Sequence, residues 1–293
     1  MKPAIRELPF QHNLKPGLGF EIFTLHDLYA RAERYGYDIV TPQRPNFHTI
    51  YLGTRGRGTH VIDFAPVPLG AGFATVVARG RVQQFVHTLP AAGLLDRRPD
   101  AWLLLIEPAF LAGTPPVLSP SLAEPAVALG DAAPELLALA DQLAAEQARP
   151  LDAQQPALLE VLLRAVLLRL ERLVHAGTPP VPELARFFTI LERDFARTRA
   201  VSHYAKEAGI SPRRLGELLV AHTGKSTKQA IDDRVLLEHK RLLAHTPISV
   251  KELAGRTGFD EPTNLVKFFR QRTGQTPLEF RAGSTFLPSR RRS

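Results

Sequence analysis

The sequence predicts an α+β protein with two domains: a β-barrel followed by helices, and then an all-helical domain. Three observations support this prediction. Short β-branched or aromatic runs alternate with Gly- and Pro-rich turns in roughly the first 110 residues, a spacing typical of sandwiches and barrels. Apolar residues then recur at three- and four-residue steps, which indicates helices. The length of 293 residues is sufficient for two separate hydrophobic cores.

Two proline-bearing breaks divide the chain, at residues 112–134 and at residues 176–182. The second is short and stiff, as an interdomain linker would be. We therefore assign residues 1–175 to the first domain and residues 183–283 to the second. Residues 284–293, which end in a run of arginines, are predicted to be a basic disordered tail.

The first domain is predicted to contain five strands. They are residues 38–40, 49–52, 59–64, 74–78 and 102–106. Residues 53–58, Gly-Thr-Arg-Gly-Arg-Gly, are too rich in glycine to continue a strand and are predicted to form a turn. The same segment is a weak phosphate-binding loop, since no Lys-Ser or Lys-Thr pair and no helix signature follow it.

Helices are predicted at residues 134–143 and 156–175. In the second, Leu and Val recur at helical spacing, but Leu158, Val161 and Leu168 extend the apolar surface beyond one stripe. A helix that is apolar on more than one face needs more than one partner. Two interpretations remain open: the helix is buried within its own domain, or it forms a dimer seam.

Charge is distributed unevenly along the chain. Residues 1–180 hold 16 Lys and Arg against 17 Asp and Glu, a net charge of −1, whereas residues 181–293 hold 21 against 12, a net charge of +9. A basic domain beside a neutral one favours a polyanionic partner over a merely solvated surface.

Cysteine is absent, which excludes disulfides and thiolate metal sites. No apolar run is long enough to span a membrane, and the N-terminus lacks the pattern of a signal peptide. We therefore expect a cytoplasmic location.

Residues 201–222 have the anatomy of a helix-turn-helix unit. Gly209 stands at the turn, Ser211 offers an N-cap hydroxyl, and Pro212 takes the first position of the second helix. Exposed Arg near the start of that helix completes the pattern.

Residues 250–272 repeat the arrangement. Gly258 stands at the turn and Asp260 is the predicted cap of the following helix. A long helix over residues 228–245 is predicted to join the two units, with Ile231, Val235, Leu236, Leu242 and Leu243 buried.

The segment from Gly209 to Arg281 resembles the DNA-binding domain of the AraC/XylS (arabinose-regulator) family. The resemblance is most specific at residues 258–260, Gly-Phe-Asp, and 267–270, Lys-Phe-Phe-Arg, followed by Gly-Gln-Thr-Pro from residue 274 and Phe-Arg from residue 280. It implies a homodimeric, sequence-specific transcription regulator that is not an enzyme, needs no cofactor and binds double-stranded DNA. It leaves contact with RNA polymerase open.

The exposed polar residues of the two units are the predicted DNA contacts. Arg213 or Arg214 can fork onto guanine, and Asn264 can pair with adenine. Lysines and arginines at helix ends commonly contact phosphate. The full predicted set is Ser211, Arg213, Arg214, Glu217, Lys225, Lys228, Thr263, Asn264, Lys267, Arg270 and Arg272.

The first domain resembles, more loosely, the cupin-like effector domain that precedes the DNA-binding domain in many such regulators. The resemblance implies a barrel that binds a small-molecule effector between apolar walls with a few polar anchors. The candidate effector contacts are His48, Tyr51, His60, Phe64 and Trp102.

A metal-dependent cupin enzyme is not favoured. Gln43, Pro45, Thr49 and Gln83 stand roughly where enzymatic cupins have metal ligands, and two separated histidines do not make a metal site. Two alternatives stay open: a metal-free cupin enzyme fused to a DNA-binding module, and a regulator that has no small ligand.

Overall fold

The computed structural model describes residues 6–11, 15, 17–35, 39, 41–85, 99–111, 116–118, 125–174 and 181–283. The chain divides into two compact units whose boundary in the sequence lies at residues 179 and 180. The predicted tail and all but the last two residues of the predicted linker lie outside the described residues.

The first unit contains two five-stranded sheets, with strand orders β1-β3-β8-β5-β6 and β10-β7-β4-β9-β2. Pairing is antiparallel except between β1 and β3. The strands are β1 Arg6–Leu8, β2 Phe20–Thr24, β3 Gln43–Pro45, β4 His48–Arg55, β5 Arg57–Ile62, β6 Ala65–Gly70, β7 Phe73–Val77, β8 Gln83–Phe85, β9 Asp100–Ile106 and β10 Ala126–Ala128.

The described strands do not close into the predicted barrel, because no pair joins one sheet to the other. One edge shows the physical reason. The backbone of Ile22 in β2 is paired with a side chain instead of a strand: its N–H donates to Gln147 Oε1 (2.7 Å), and its carbonyl accepts from Gln147 Nε2 (2.8 Å). The architecture is therefore two open sheets.

Three predicted strands coincide with parts of β4, β7 and β9. The run 59–64 ends earlier than predicted, since Asp63 and Phe64 have positive φ angles of 48° and 74° and make the two-residue turn of the β5–β6 hairpin. The run 38–40 is not supported: Ile39 lies outside any strand, and its two neighbours lie outside the described residues.

The turn predicted over residues 53–58 was also wrong in extent. Strand β4 continues to Arg55 and β5 begins at Arg57, so Gly56 alone separates them. The glycine at position 53 is needed for close approach of two strands, because a Cβ there would lie 1.7 Å from the carbonyl oxygen of Gly70.

The described residues of the first unit also form three α-helices: α1 Leu25–Tyr35, α2 Ala133–Ala148 and α3 Gln155–Val174. The sequence analysis missed α1, although Leu25, Tyr29 and Ala32 are buried at the helical spacing i, i+4, i+7. Helix α3 agrees with the predicted helix 156–175 to within one residue at each end, whereas α2 continues five residues beyond the predicted end at residue 143.

Strand alternation divides the hydrophobic core in two. Ile50 and Leu52 of β4 pack with α2 and α3 on one face of the second sheet. Tyr51 points to the opposite face and packs with Ile62 and Val67 of the first sheet. This follows from the period of two along a strand.

Helix α3 has a buried and an exposed apolar face. Leu163 and Leu170 are completely buried in the core beneath the second sheet. In contrast, Leu158, Val161 and Leu168 have exposed fractions of 48%, 66% and 55%. The buried-helix interpretation therefore holds for one face only.

The second unit is all-helical, as predicted. Its helices are α4 Pro182–Asp194, α5 Val201–Glu207, α6 Pro212–Thr223, α7 Thr227–His245, α8 Val250–Arg256, α9 Pro262–Thr273 and α10 Pro277–Gly283. The five apolar residues predicted to be buried on the joining helix α7 are all buried.

Candidate nucleic-acid interface

The first helix-turn-helix unit consists of α5 and α6. Gly209, with a φ of 75°, makes the turn in a backbone conformation that favours glycine. The Ser211 hydroxyl caps α6 by accepting from the backbone N–H of Arg214 (3.2 Å). Leu215 and Leu219 are buried, which fixes α6 against its own unit and turns Arg214 to the solvent.

The second helix-turn-helix unit consists of α8 and α9, and it differs from the first in how its helices are capped. Ser249 and Glu252 form a capping box at the start of α8, and Gly258 turns the chain with a φ of 70°. The predicted cap of α9 was wrong by one residue. Glu261, not Asp260, is the N-cap residue, and it caps with extended backbone and no side-chain hydrogen bond.

The second helix of each helix-turn-helix unit, α6 or α9, presents a polar face to solvent. On α6 the exposed residues Arg213, Glu217 and Val220 follow the helical spacing i, i+4, i+7. The guanidinium Nε of Arg213 donates to Glu217 Oε1 (2.9 Å), and 91% of the Arg213 side chain is exposed. On α9 the exposed predicted contacts are Thr263, Asn264, Lys267 and Arg270.

Three cations of the predicted set lie at helix ends, where phosphate contacts are common, and they have carboxylate partners within the protein. Lys225 Nζ lies 2.8 Å from Asp233, and Lys228 Nζ lies 3.0 Å from Asp232. Arg272 contacts both acids, at 2.5 Å from Asp232 and 3.2 Å from Asp233. These three cations therefore have ion-pair partners within the protein, although Lys225 and Lys228 remain 54% exposed.

Helix α7 joins the two helix-turn-helix units, and His239 lies near its middle. The imidazole Nε2 lies 2.7 Å from Thr257 Oγ1, and the ring packs on Phe259, Phe268 and Phe269. Burial lowers the pKa of His239 to about 4, so the ring is neutral near pH 7. An aromatic pocket around α7 explains why an imidazole fits here.

In the first unit, two of the five candidate effector contacts lie together between the sheets. The Tyr51 hydroxyl donates to Gln83 Oε1 (2.9 Å), and His60 Nε2 lies 3.2 Å from the same oxygen. The His60 ring also packs on Phe85, with centroids 4.5 Å apart. Burial lowers the pKa of His60 to about 4 and raises that of Tyr51. Both are therefore neutral at pH 7.

The structure does not bring the other three candidates to this cluster. Trp102 lies on the opposite face of the second sheet, where its indole N–H donates to Asp141 of α2 (3.1 Å). His48 shares the face of Ile50 on β4, and its Nδ1 accepts from the backbone N–H of Arg79 (3.2 Å). Phe64 stands at the β5–β6 turn. Strand parity, which one sequence did not reveal, decides these positions.

Comparison with known proteins agrees with this geometry. A family model described as a helix-turn-helix domain matches residues 204–283. The HTH-type transcriptional activator RhaS of Salmonella schwarzengrund is 27% identical over 247 residues, which is 81% of this chain and 86% of the relative. RhaS of Salmonella arizonae is 27% identical over 252 residues, 83% and 88% of the two chains. These matches confirm the resemblance of the chain to helix-turn-helix transcription regulators of the AraC type.

Among solved structures, the chain is similar to a transcriptional regulator with an AraC-type DNA-binding domain from Chromobacterium violaceum. Their sequence identity is 21%, the match covers 36% of this chain and 96% of the other, and the TM-score is 0.34. The RhaS relatives are regulators rather than enzymes, in agreement with the prediction made from the sequence.

Val220 is a further candidate for DNA contact that the sequence-based prediction did not include. It lies on the same face of α6 as Arg213, and its exposed fraction is 55%, which is unusual for a valine. The signal was available in the spacing from Arg213 to Glu217 to Val220. An apolar side chain in that position can contact a thymine methyl group.

The described part of the chain contains no group of three or more His, Cys, Asp or Glu that could hold a metal ion. None of its helices is both long and apolar enough to cross a membrane.

Proposed function

We propose that this AraC-type regulator binds duplex DNA in a sequence-specific manner by placing α6 and α9 in successive major grooves. One observation carries the proposal: two capped helices of the same length, each following a glycine turn, expose Arg213 on one and Asn264 on the other. Recognition helices on one duplex face lie about 34 Å apart. The net charge of +9 on residues 181–293 supplies attraction to phosphate.

The function is tested by selection from a pool of duplexes with a randomised centre, using the full chain. We expect the bound fraction to converge on two blocks of preferred bases about one helical turn apart. If the protein retains DNA but the bound sequences stay random, its binding is not sequence-specific. The net positive charge alone would then explain the binding.

We further propose that the two sheets form a cupin-like effector domain, with the effector between them. Support comes from the neutral Tyr51–Gln83–His60 cluster, a set of hydrogen-bonding groups within an apolar core. Polar anchors of this kind fix the orientation of a small ligand. Calorimetry with candidate small molecules tests the idea, and it requires that His60→Ala abolish the binding seen with the unmodified chain.

We propose a homodimer whose seam is the exposed face of α3. Leu158, Val161, Ala165 and Leu168 follow steps of three, four and three residues, the apolar repeat of a coiled coil. The first, second and fourth are large apolar residues in solvent, and a second copy of α3 would cover them. We propose activation as the mode of regulation, because the RhaS relatives are named transcriptional activators; contact with RNA polymerase stays a prediction.

A further inference from the structure

We propose that an ion-pair clamp on α7 sets the separation of the two recognition helices. The clamp consists of Asp232 and Asp233 with Lys225, Lys228 and Arg272. The proposal rests on the function proposed above, in which α6 and α9 read one duplex. It makes the two acids positioning residues, which act on DNA through other side chains.

The clamp joins the ends of both recognition helices to one point. Lys225 lies two residues after the end of α6, and its ammonium group contacts Asp233 (2.8 Å). Arg272 lies in the last turn of α9 and contacts both acids. Asp232 and Asp233 are neighbours in the second turn of α7. A rotation of α9 relative to α6 would therefore have to break an ion pair.

Burial distinguishes the Arg272–Asp232 arm of the clamp from ordinary surface pairs. The side chains of Arg272 and Asp232 are 25% and 6% exposed, whereas those of Lys225 and Asp233 are 54% and 41% exposed. The Arg213 and Glu217 side chains, an ordinary surface pair, are 91% and 51% exposed. Exposed pairs contribute little because water screens them and the side chains lose entropy. A planar guanidinium that contacts two fixed carboxylates also restrains direction.

The other contacts of α7 with α8 and α9 leave the direction of α9 less restrained. The hydrogen bond between His239 and Thr257 reaches the end of α8, whereas towards α9 the packing is apolar, with Leu236, Leu265 and Phe269 in one buried cluster. Apolar packing fixes distance but is non-directional. The charged groups of the clamp supply the missing directional term between α7 and the end of α9.

The experiment measures tolerance to a changed spacing between the two base blocks. The full chain is first used to select its site from the randomised duplex pool. One base pair is then inserted between the blocks, which moves the second block by about 3.4 Å and rotates it by about 34°. We expect the unmodified protein to lose at least about tenfold in affinity, because one helix forfeits its base contacts.

Asp232→Asn should tolerate the insertion, with a loss of about two- to threefold, while the preferred bases within each block stay unchanged. Glu183→Gln is the matched control. It also removes one negative charge from the all-helical part of the chain, but Glu183 lies in the first turn of α4 and outside the clamp. It should keep the full insertion penalty. A general gain in phosphate attraction would act on both variants and both duplexes alike.

The possible outcomes separate the two proposals. A folded Asp232→Asn protein with the full insertion penalty would overturn the clamp as a positioning device. Failure of the unmodified chain to select any sequence would instead overturn the proposed function. If Asp232→Asn does not fold, Arg272→Lys keeps the cation but loses the fork, and it must then show the relaxed spacing.

Discussion

Arg213 illustrates how a single side chain carries the proposed function. It projects from the first turn of α6, and Glu217 holds its Nε 2.9 Å away, leaving the rest of the guanidinium free of this partner. The remaining N–H groups of the guanidinium can donate to the O6 and N7 atoms of guanine. Asn264 occupies the corresponding first turn of α9, exposed to solvent.

Arg213→Ala and Asn264→Ala are expected to act on different base blocks of the selected site. Each should cost roughly 1–3 kcal/mol of binding free energy and relax the base preference at its own block. Competition binding with single-base variants of the site measures both effects. Equal loss on every duplex, with no relaxed position, would reassign the residue to phosphate contact.

The buried His239 should make the stability of the all-helical unit, residues 181–283, sensitive to acid. Burial lowers the pKa of His239 to about 4 from an ordinary value of 6.5, so the unfolded chain binds more protons between these two pH values. The free energy of unfolding should therefore be constant above pH 6.5 and fall by roughly 3 kcal/mol as the pH drops to 4.

Chemical denaturation at several pH values measures this dependence. The variant His239→Gln should lose the part of the slope that belongs to position 239, although it also loses ring packing at pH 7. His222→Gln, at an exposed residue of α6, serves as the control and should keep the slope. An identical slope in all three proteins would mean that other groups cause the acid sensitivity.

At the scale of one element, α3 shows why apolar pattern and burial are different properties. Both of its faces are rich in leucine, yet only one packs beneath the second sheet. The sequence analysis could not tell the two faces apart. Leu163 and Leu170, which follow the helical period well, belong to the intramolecular core and not to the proposed seam.

The proposed seam predicts different outcomes for the two faces of α3. Val161→Glu with Leu168→Glu should give a folded monomer, because both side chains are exposed in a single chain. Leu163→Glu should prevent folding, since burying an unpaired carboxylate is severely unfavourable. Sedimentation together with a thermal unfolding transition measures both results. A dimer that survives the double substitution would place the interface elsewhere.

At the scale of the whole molecule, the net positive charge is confined to the part of the chain that carries the two helix-turn-helix units. Residues 181–293 have a net charge of +9, and residues 1–180 have a net charge of −1. Part of the positive charge is already neutralised internally, since Lys225, Lys228 and Arg272 pair with two acids. The exposed Lys267 and Arg270 of α9 have no such role in the clamp.

DNA affinity of the full chain should fall steeply with salt. The logarithm of the binding constant decreases with the logarithm of salt concentration by about 0.9 for each phosphate neutralised. Arg270→Ala should lower this slope by about one and weaken binding to all duplexes equally. A titration between low and moderate salt, followed by fluorescence anisotropy, measures the slope. Salt-independent binding would contradict the electrostatic part of the proposal.

The sequence by itself determined the features that depend on local chemistry. Glycine turns, the Ser211 cap, helical periodicity and net charge are properties of neighbouring residues, and they were sufficient to predict the two helix-turn-helix units and the joining helix α7. The tertiary structure alone decided the pairings between distant residues. It placed Gln147 on the edge of β2, Trp102 on the far face of its sheet and Arg272 on Asp232. Such contacts depend on strand parity and on side-chain reach between elements, and no short segment of sequence contains that information.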